Sequence, residues 1–163
     1  MKGILCVLIS VFLLQSCTNE ESIRDKFNNL KSIDYSKFKG ISIENRKGSY
    51  LITYEGSQHL IKRNIFSKKI PSIEKAFREE GQSLLPEKDI DRIENALKSF
   101  NKMGILMLSV DEKENLFLSV PWNDRCTYYF LKLSATSTLK ELEKQYYQNY
   151  ENNWYLYKEC AEK

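Results

Sequence analysis

The stretch from Ile105 to Ser134, ILMLSVDEKENLFLSVPWNDRCTYYFLKLS, constrains the fold more than any other part of the chain. Two apolar runs flank DEKEN and a third follows PWND, a pattern that predicts a three-stranded meander joined by tight polar turns. Side chains alternate along a strand, so Leu106, Leu108 and Val110 are expected to share a face with Leu116, Leu118 and Val120, and Tyr129, Leu131 and Leu133 to extend it. The first run is apolar almost throughout, which suits a central strand.

A second strand-rich region lies upstream. In ISIENRKGSYLITYEGSQHLIKRN, from Ile41 to Asn64, β-branched and aromatic residues are interrupted by NRKG and EGSQ, predicting three antiparallel strands. Between the two regions, PEKDIDRIENALKSFNKMG places Ile90, Ile93, Leu97, Phe100 and Met103 at steps of three and four. Acidic residues fill the first turn, Lys102 sits in the last and Gly104 follows, so this is the main helix. Ile65 to Gln82 is ambiguous, although Pro71 and Ser72 can open a short helix that Gly81 closes. After the meander, Thr138 and Glu141 have capping-box spacing, and Leu139, Leu142 and Tyr146 form a stripe that predicts a second helix through TLKELEKQYYQNY. The chain then returns to an extended pattern in NNWYLYKEC. The expected fold is α+β: antiparallel strands in two runs, a main helix between them and a second helix before the C-terminal strand.

The N-terminus reads MKGILCVLISVFLLQSC. Lys2 gives a minimal positive start and Ile4 to Leu14 an apolar stretch suited to export, well short of the roughly 20 residues that cross a bilayer. With Leu14 and Ser16 placed before Cys17, the segment resembles the lipobox of bacterial lipoproteins; Gln15 departs from the usual small or β-branched residue. The resemblance covers this segment alone. It implies that residues 1–16 are a cleaved signal peptide and that the Cys17 thiol carries a diacylglycerol, a palmitate-type lipid anchor to a membrane. The protein would then sit in a cell envelope, lipid-anchored to a bacterial membrane, the outer one if the cell is Gram-negative, facing the periplasm or the exterior. Each buried methylene contributes about 0.8 kcal/mol, and two acyl chains hold a protein on a membrane. An ordinary cleaved signal is the alternative. Residues 17–32 then read as a polar tether or a short helix, with Ile23, Phe27 and Leu30 on one stripe, and 33–163 as a single α+β domain. Cleavage leaves 163 − 16 = 147 residues, enough for one core.

The same resemblance removes Cys6 with the signal and commits Cys17 to lipid, leaving Cys126 and Cys160 to form a disulfide in an oxidising compartment. Two free thiols are the other possibility. If bridged, the two cysteines would join adjacent antiparallel strands.

No catalytic constellation is legible. The chain holds one histidine, His59, which alternates with Leu60 as an outward polar residue would. It has no G-x-S-x-G elbow and no glycine-rich phosphate loop. Asp111, Glu112, Glu114 and Asn115 lack the calcium-loop pattern, and no metal or other cofactor is expected. The net charge of +3, with mixed signs, leaves no nucleic-acid footprint. Two surfaces stand out as binding candidates. PWNDRC gathers Trp122, Asp124 and Arg125 beside the expected bridge, although a tight turn is the plainer explanation. The C-terminal QYYQNYENNWYLYKE carries Tyr147, Tyr150, Trp154 and Tyr155 among more rings than one helix face and one strand face can bury. Lys62, Arg63, Lys68 and Lys69 could touch anionic headgroups. The function requiring no missing residue is a membrane-anchored, non-catalytic module that binds an envelope protein, as an inhibitor, immunity or assembly factor. The alternative is a small glycan-binding or hydrolytic domain on the same anchor.

Overall fold

A computed structural model describes residues 23–62 and 87–161 of the chain. Cys17, the signal segment, the ambiguous Ile65 to Gln82 and the basic cluster after Lys62 lie outside the described residues. Residues up to Asp34 and those from Tyr35 onward are two compact units. In the first, helix α1 spans residues 23–31 and buries Ile23, Phe27 and Leu30, one stripe at helical spacing.

The second unit is mostly sheet. Its strands are β1 (Ile41–Arg46), β2 (Ser49–Tyr54), β3 (Ser57–Lys62), β4 (Met107–Val110), β5 (Leu116–Pro121), β6 (Cys126–Lys132), β7 (Gln148–Glu151) and β8 (Trp154–Cys160). They form one eight-stranded sheet in the order β3-β2-β1-β4-β5-β6-β8-β7, with every named pair antiparallel. The apolar run of β4 is central, fourth in that order. Helix α2 (Glu87–Met103) falls between the two runs of strands and ends where Gly104 takes a left-handed φ of 62°. Its buried stripe is Ile93, Ala96, Leu97, Phe100 and Met103. Phe100 meets the Tyr50 ring edge-on at 6.2 Å, and Arg92 donates to the Tyr54 hydroxyl, so α2 lies against β2. The inner face of the sheet carries Ile41, Ile43, Ile52, Ile61, Leu108, Leu118 and Phe130, all buried.

The second helix is not formed. Residues 138–147 hold a single 3-10 turn, Glu143–Gln145, and Gln148 onward is strand. The cap sits two residues later than expected: the Glu143 carboxylate accepts from the Lys140 N–H at 2.9 Å, while Thr138 opens nothing. Helices in proteins gain most of their stability from burying an apolar stripe. Here Leu142 and Tyr146 stay exposed, and Tyr150 is held in the sheet instead.

Two faces differ from the sequence reading. His59 lies inward, 2 % exposed, opposite Ile52. The hairpin turn decides this, because Glu55 and Gly56 both take positive φ, the two-residue geometry that matches strand twist, and so fix Tyr54 opposite Ser57. On β6 the inward residues are Tyr128 and Phe130, opposite Val120 and Leu118. Tyr129 and Leu131 therefore point outward, and only Leu133 of the expected trio is buried.

Burial holds the His59 imidazole below its ordinary pKa. The unfolded chain consequently takes up the proton first. Stability is complete above the unfolded value of about 6.5 and declines as pH falls below it. The urea midpoint is expected to drop further between about pH 7.5 and about pH 5.5 for the wild type than for His59→Leu. Equal drops would remove the imidazole from the cause.

Candidate functional site

Antiparallel sheets packed on one side normally turn polar residues outward on the other. The outer face here is polar only in part. Toward one end Ser42, Thr53 and Gln58 alternate with half-buried Leu51 and Leu60, and from β4 onward the outward positions include Met107, Phe117, Tyr129, Leu131, Tyr155 and Tyr157, all half-buried, beside Ser109, Ser119 and Thr127. Rings stack across three strands: Phe117 on Tyr129 at 6.0 Å and 26°, and Tyr129 on Tyr157 at 5.5 Å and 16°. Buried Ser119, directly opposite Tyr129, is small enough to leave room for them.

Residues 134–147 cross this face as a strap. At its start the Ser134 N–H donates to Asn115 Oδ1 at 2.9 Å, and the Leu133 N–H to the Asn153 carbonyl at 3.0 Å. At its end Tyr146 and Tyr147 pack on Tyr157, with centroids 5.5 and 5.9 Å away. Internal polar bonds stiffen it, among them Ser134 to Ser137 at 2.9 Å and Lys144 to Glu141 at 2.6 Å. Tyr129 donates to Glu159 Oε2 at 2.8 Å. Burial, followed by that carboxylate, pushes the Tyr129 hydroxyl up to about 12. Burial, followed by the charge of Glu143, does the same for Tyr147. Both phenols stay protonated at neutral pH, and Tyr129 uses its proton as the donor to Glu159.

Between the strap and the β4–β5 turn lies an open groove of about 700 Å³. Its floor is Ser109, Phe117 and Leu131; one wall is Thr136 to Thr138 with Lys140 and Glu143, and the other is Asp111, Glu112, Lys113 and Asn115. Asn115 ties the walls together, since its N–H and its side-chain amide also bond Asp111, at 2.8 and 2.7 Å. Two of the three groove carboxylates are thus spent on structure: Asp111 on Asn115, and Glu143 on Lys140. Among the described residues no group of three or more His, Cys, Asp or Glu side chains could hold a metal, and no helix is long and apolar enough to cross a membrane.

The residues singled out from sequence are scattered. Trp122 is half-buried with its ring edge-on to Tyr128, and Asp124 and Arg125 are exposed in a turn. Asn123 Oδ1 closes that turn by accepting from the N–H groups of Arg125 and Cys126, at 2.9 and 2.7 Å. Tyr147 and Tyr155 do belong to the outer face. Trp154 does not: it is 3 % exposed, and the Lys132 ammonium lies 5.8 Å from its ring centre. Tyr150 turns toward buried Phe130, with ring centres 6.0 Å apart. Strand alternation explains the split, because Trp154 and Tyr155 are neighbours and must face opposite ways. Sequence reasoning missed Phe117, Tyr129 and the groove walls. The signal that could have found them is the adjacent pair Tyr128 and Tyr129, of which a half-covered strand can bury only one.

Cys126 and Cys160 are directly paired across β6 and β8 and form a disulfide. The Ala161 N–H donates to the Arg125 carbonyl at 2.8 Å, which makes the cysteine pair the neighbouring non-hydrogen-bonded one, where side chains stand closer. No family model, no curated protein and no solved structure matches the chain.

Proposed function

We propose that this chain is a lipid-anchored, non-catalytic protein of a bacterial cell envelope, held by Cys17, that docks a partner protein on the outer edge of its strap. One observation carries the docking reading. Leu142 is 75 % exposed and Tyr146 57 % exposed, and they lead directly into the half-buried rings of Tyr147, Tyr157 and Tyr129. A tyrosine-rich patch with an apolar centre and a mixed-charge rim, here Lys140, Glu141 and Lys144, matches the composition of protein interfaces, and the partner it fits presents an apolar patch of its own. The anchor rests on the lipobox resemblance of residues 14–17 and is tested by palmitate labelling, which Cys17→Ser is expected to abolish.

A photo-crosslinking residue at position 146, in cells making the full chain, is expected to give one discrete adduct. The same residue at exposed position 91 on α2 should give none. Leu142→Glu adds a charge where the side chain already meets water, so it spares the fold and should erase the adduct. An adduct from both positions, one that survives Leu142→Glu, or none at position 146 would overturn the docking reading.

A further inference from the structure

We infer that the groove on the inner edge of the strap is a saccharide-binding site, distinct from the docking patch on its outer edge. Lys140 and Glu143 line the groove, and Leu142 between them does not.

The ligand class follows from what the groove offers. Its floor belongs to β4, β5 and β6, in the middle of the sheet, where main-chain groups are already committed to the ladders with neighbouring strands. An extended peptide binds a sheet by adding to a free edge, and this floor has none. A phosphate or other anion meets three carboxylates against two lysines. A purely apolar molecule finds two apolar side chains half open, Phe117 and Leu131, under a rim of hydroxyl, amide and charged groups.

A sugar ring matches all of these terms. One face of a pyranose is a patch of C–H bonds, and its edge is a ring of hydroxyls that both donate and accept. Phe117 lines the groove floor with its ring stacked on Tyr129, and aromatic rings attract C–H groups through the negative face of their π-system. Around it, Thr136 and Thr138 donate and accept, and Lys113 donates. The volume of about 700 Å³ lies within the range of small-ligand sites and admits a short oligosaccharide. Asn115 fixes the distance between the walls before any ligand arrives, so binding needs little ordering of the protein.

The test is retention of the detergent-solubilised full chain on a printed array of oligosaccharides, followed by calorimetric titration of the best-retained sugar. Phe117→Ala is expected to weaken that titration by about tenfold, the loss of one aromatic wall. Because Phe117 also packs on Tyr129, Thr138→Trp is the companion variant: the position is exposed, so the fold stands while the rim is filled. It should abolish sugar binding, and Leu142→Glu should leave it unchanged. Failure of the docking reading would show in the crosslink alone and leave this titration untouched. Retention of no saccharide, or equal affinity in Thr138→Trp and wild type, would overturn the assignment.

Discussion

Replacing both Cys126 and Cys160 by alanine is expected to lower the free energy of unfolding by about 3–4 kcal/mol, the entropy of closing a loop of this length in the unfolded chain. The two cysteines are 34 residues apart and paired in register, so the bridge restrains the unfolded state without asking the strands to move. It also sits where the sheet is most dependent on one contact. In the ladder β7 pairs only with β8, and β8 joins the rest of the sheet through β6. Urea titrations with and without reductant measure the effect. The wild type in reductant should fall to the midpoint of the double variant, and a shift under about 1 kcal/mol would show that the β6–β8 ladder holds without the bridge.

Phe100→Ala should cost a comparable amount, about 3–5 kcal/mol, by a different route. Phe100 is fully buried on the sheet-facing side of α2 and meets Tyr50 edge-on, so truncation leaves a cavity between helix and sheet. Phe100→Leu, which keeps more of the volume, should lose less. Chemical denaturation with an unchanged m-value would assign the loss to the folded state. A cost for Phe100→Ala below about 1 kcal/mol would mean that α2 is not closing the core.

Much of the fold is legible in sequence because its local signals agree with one another. NRKG, EGSQ and DEKEN each hold the turn between two strands, and Gly104 ends α2 in the conformation glycine favours. The facing of β6 was hidden for a physical reason. CTYYFLK is apolar on both sides, so alternation cannot say which set is inside; the turn closed by Asn123 sets it by placing Thr127 opposite Pro121. His59 misled in a similar way, because a neighbouring leucine outranks histidine on hydropathy while the Glu55–Gly56 turn overrides both. The helical stripe of Leu139, Leu142 and Tyr146 has the right period, but Leu142 and Tyr146 stay exposed, so no helix is held there. The groove was invisible for a related reason. Its walls come from segments some twenty residues apart, and the bond from Ser134 to Asn115 that joins them is a tertiary fact.

The placement of β8 between β6 and β7 sets a timetable for folding. A chain made from its N-terminus completes β6 and β7 while the strand that joins them does not yet exist. At about 5–20 residues per second, roughly 2–7 s pass between synthesis of Cys126 and of Cys160. During that interval β6 has a bare edge on one side, with the ring-rich TYYFL segment exposed beside it, a hazard for association with other nascent chains. A polypeptide arranged in this way is suited to being kept extended until its last strand is available, and then folding in one step.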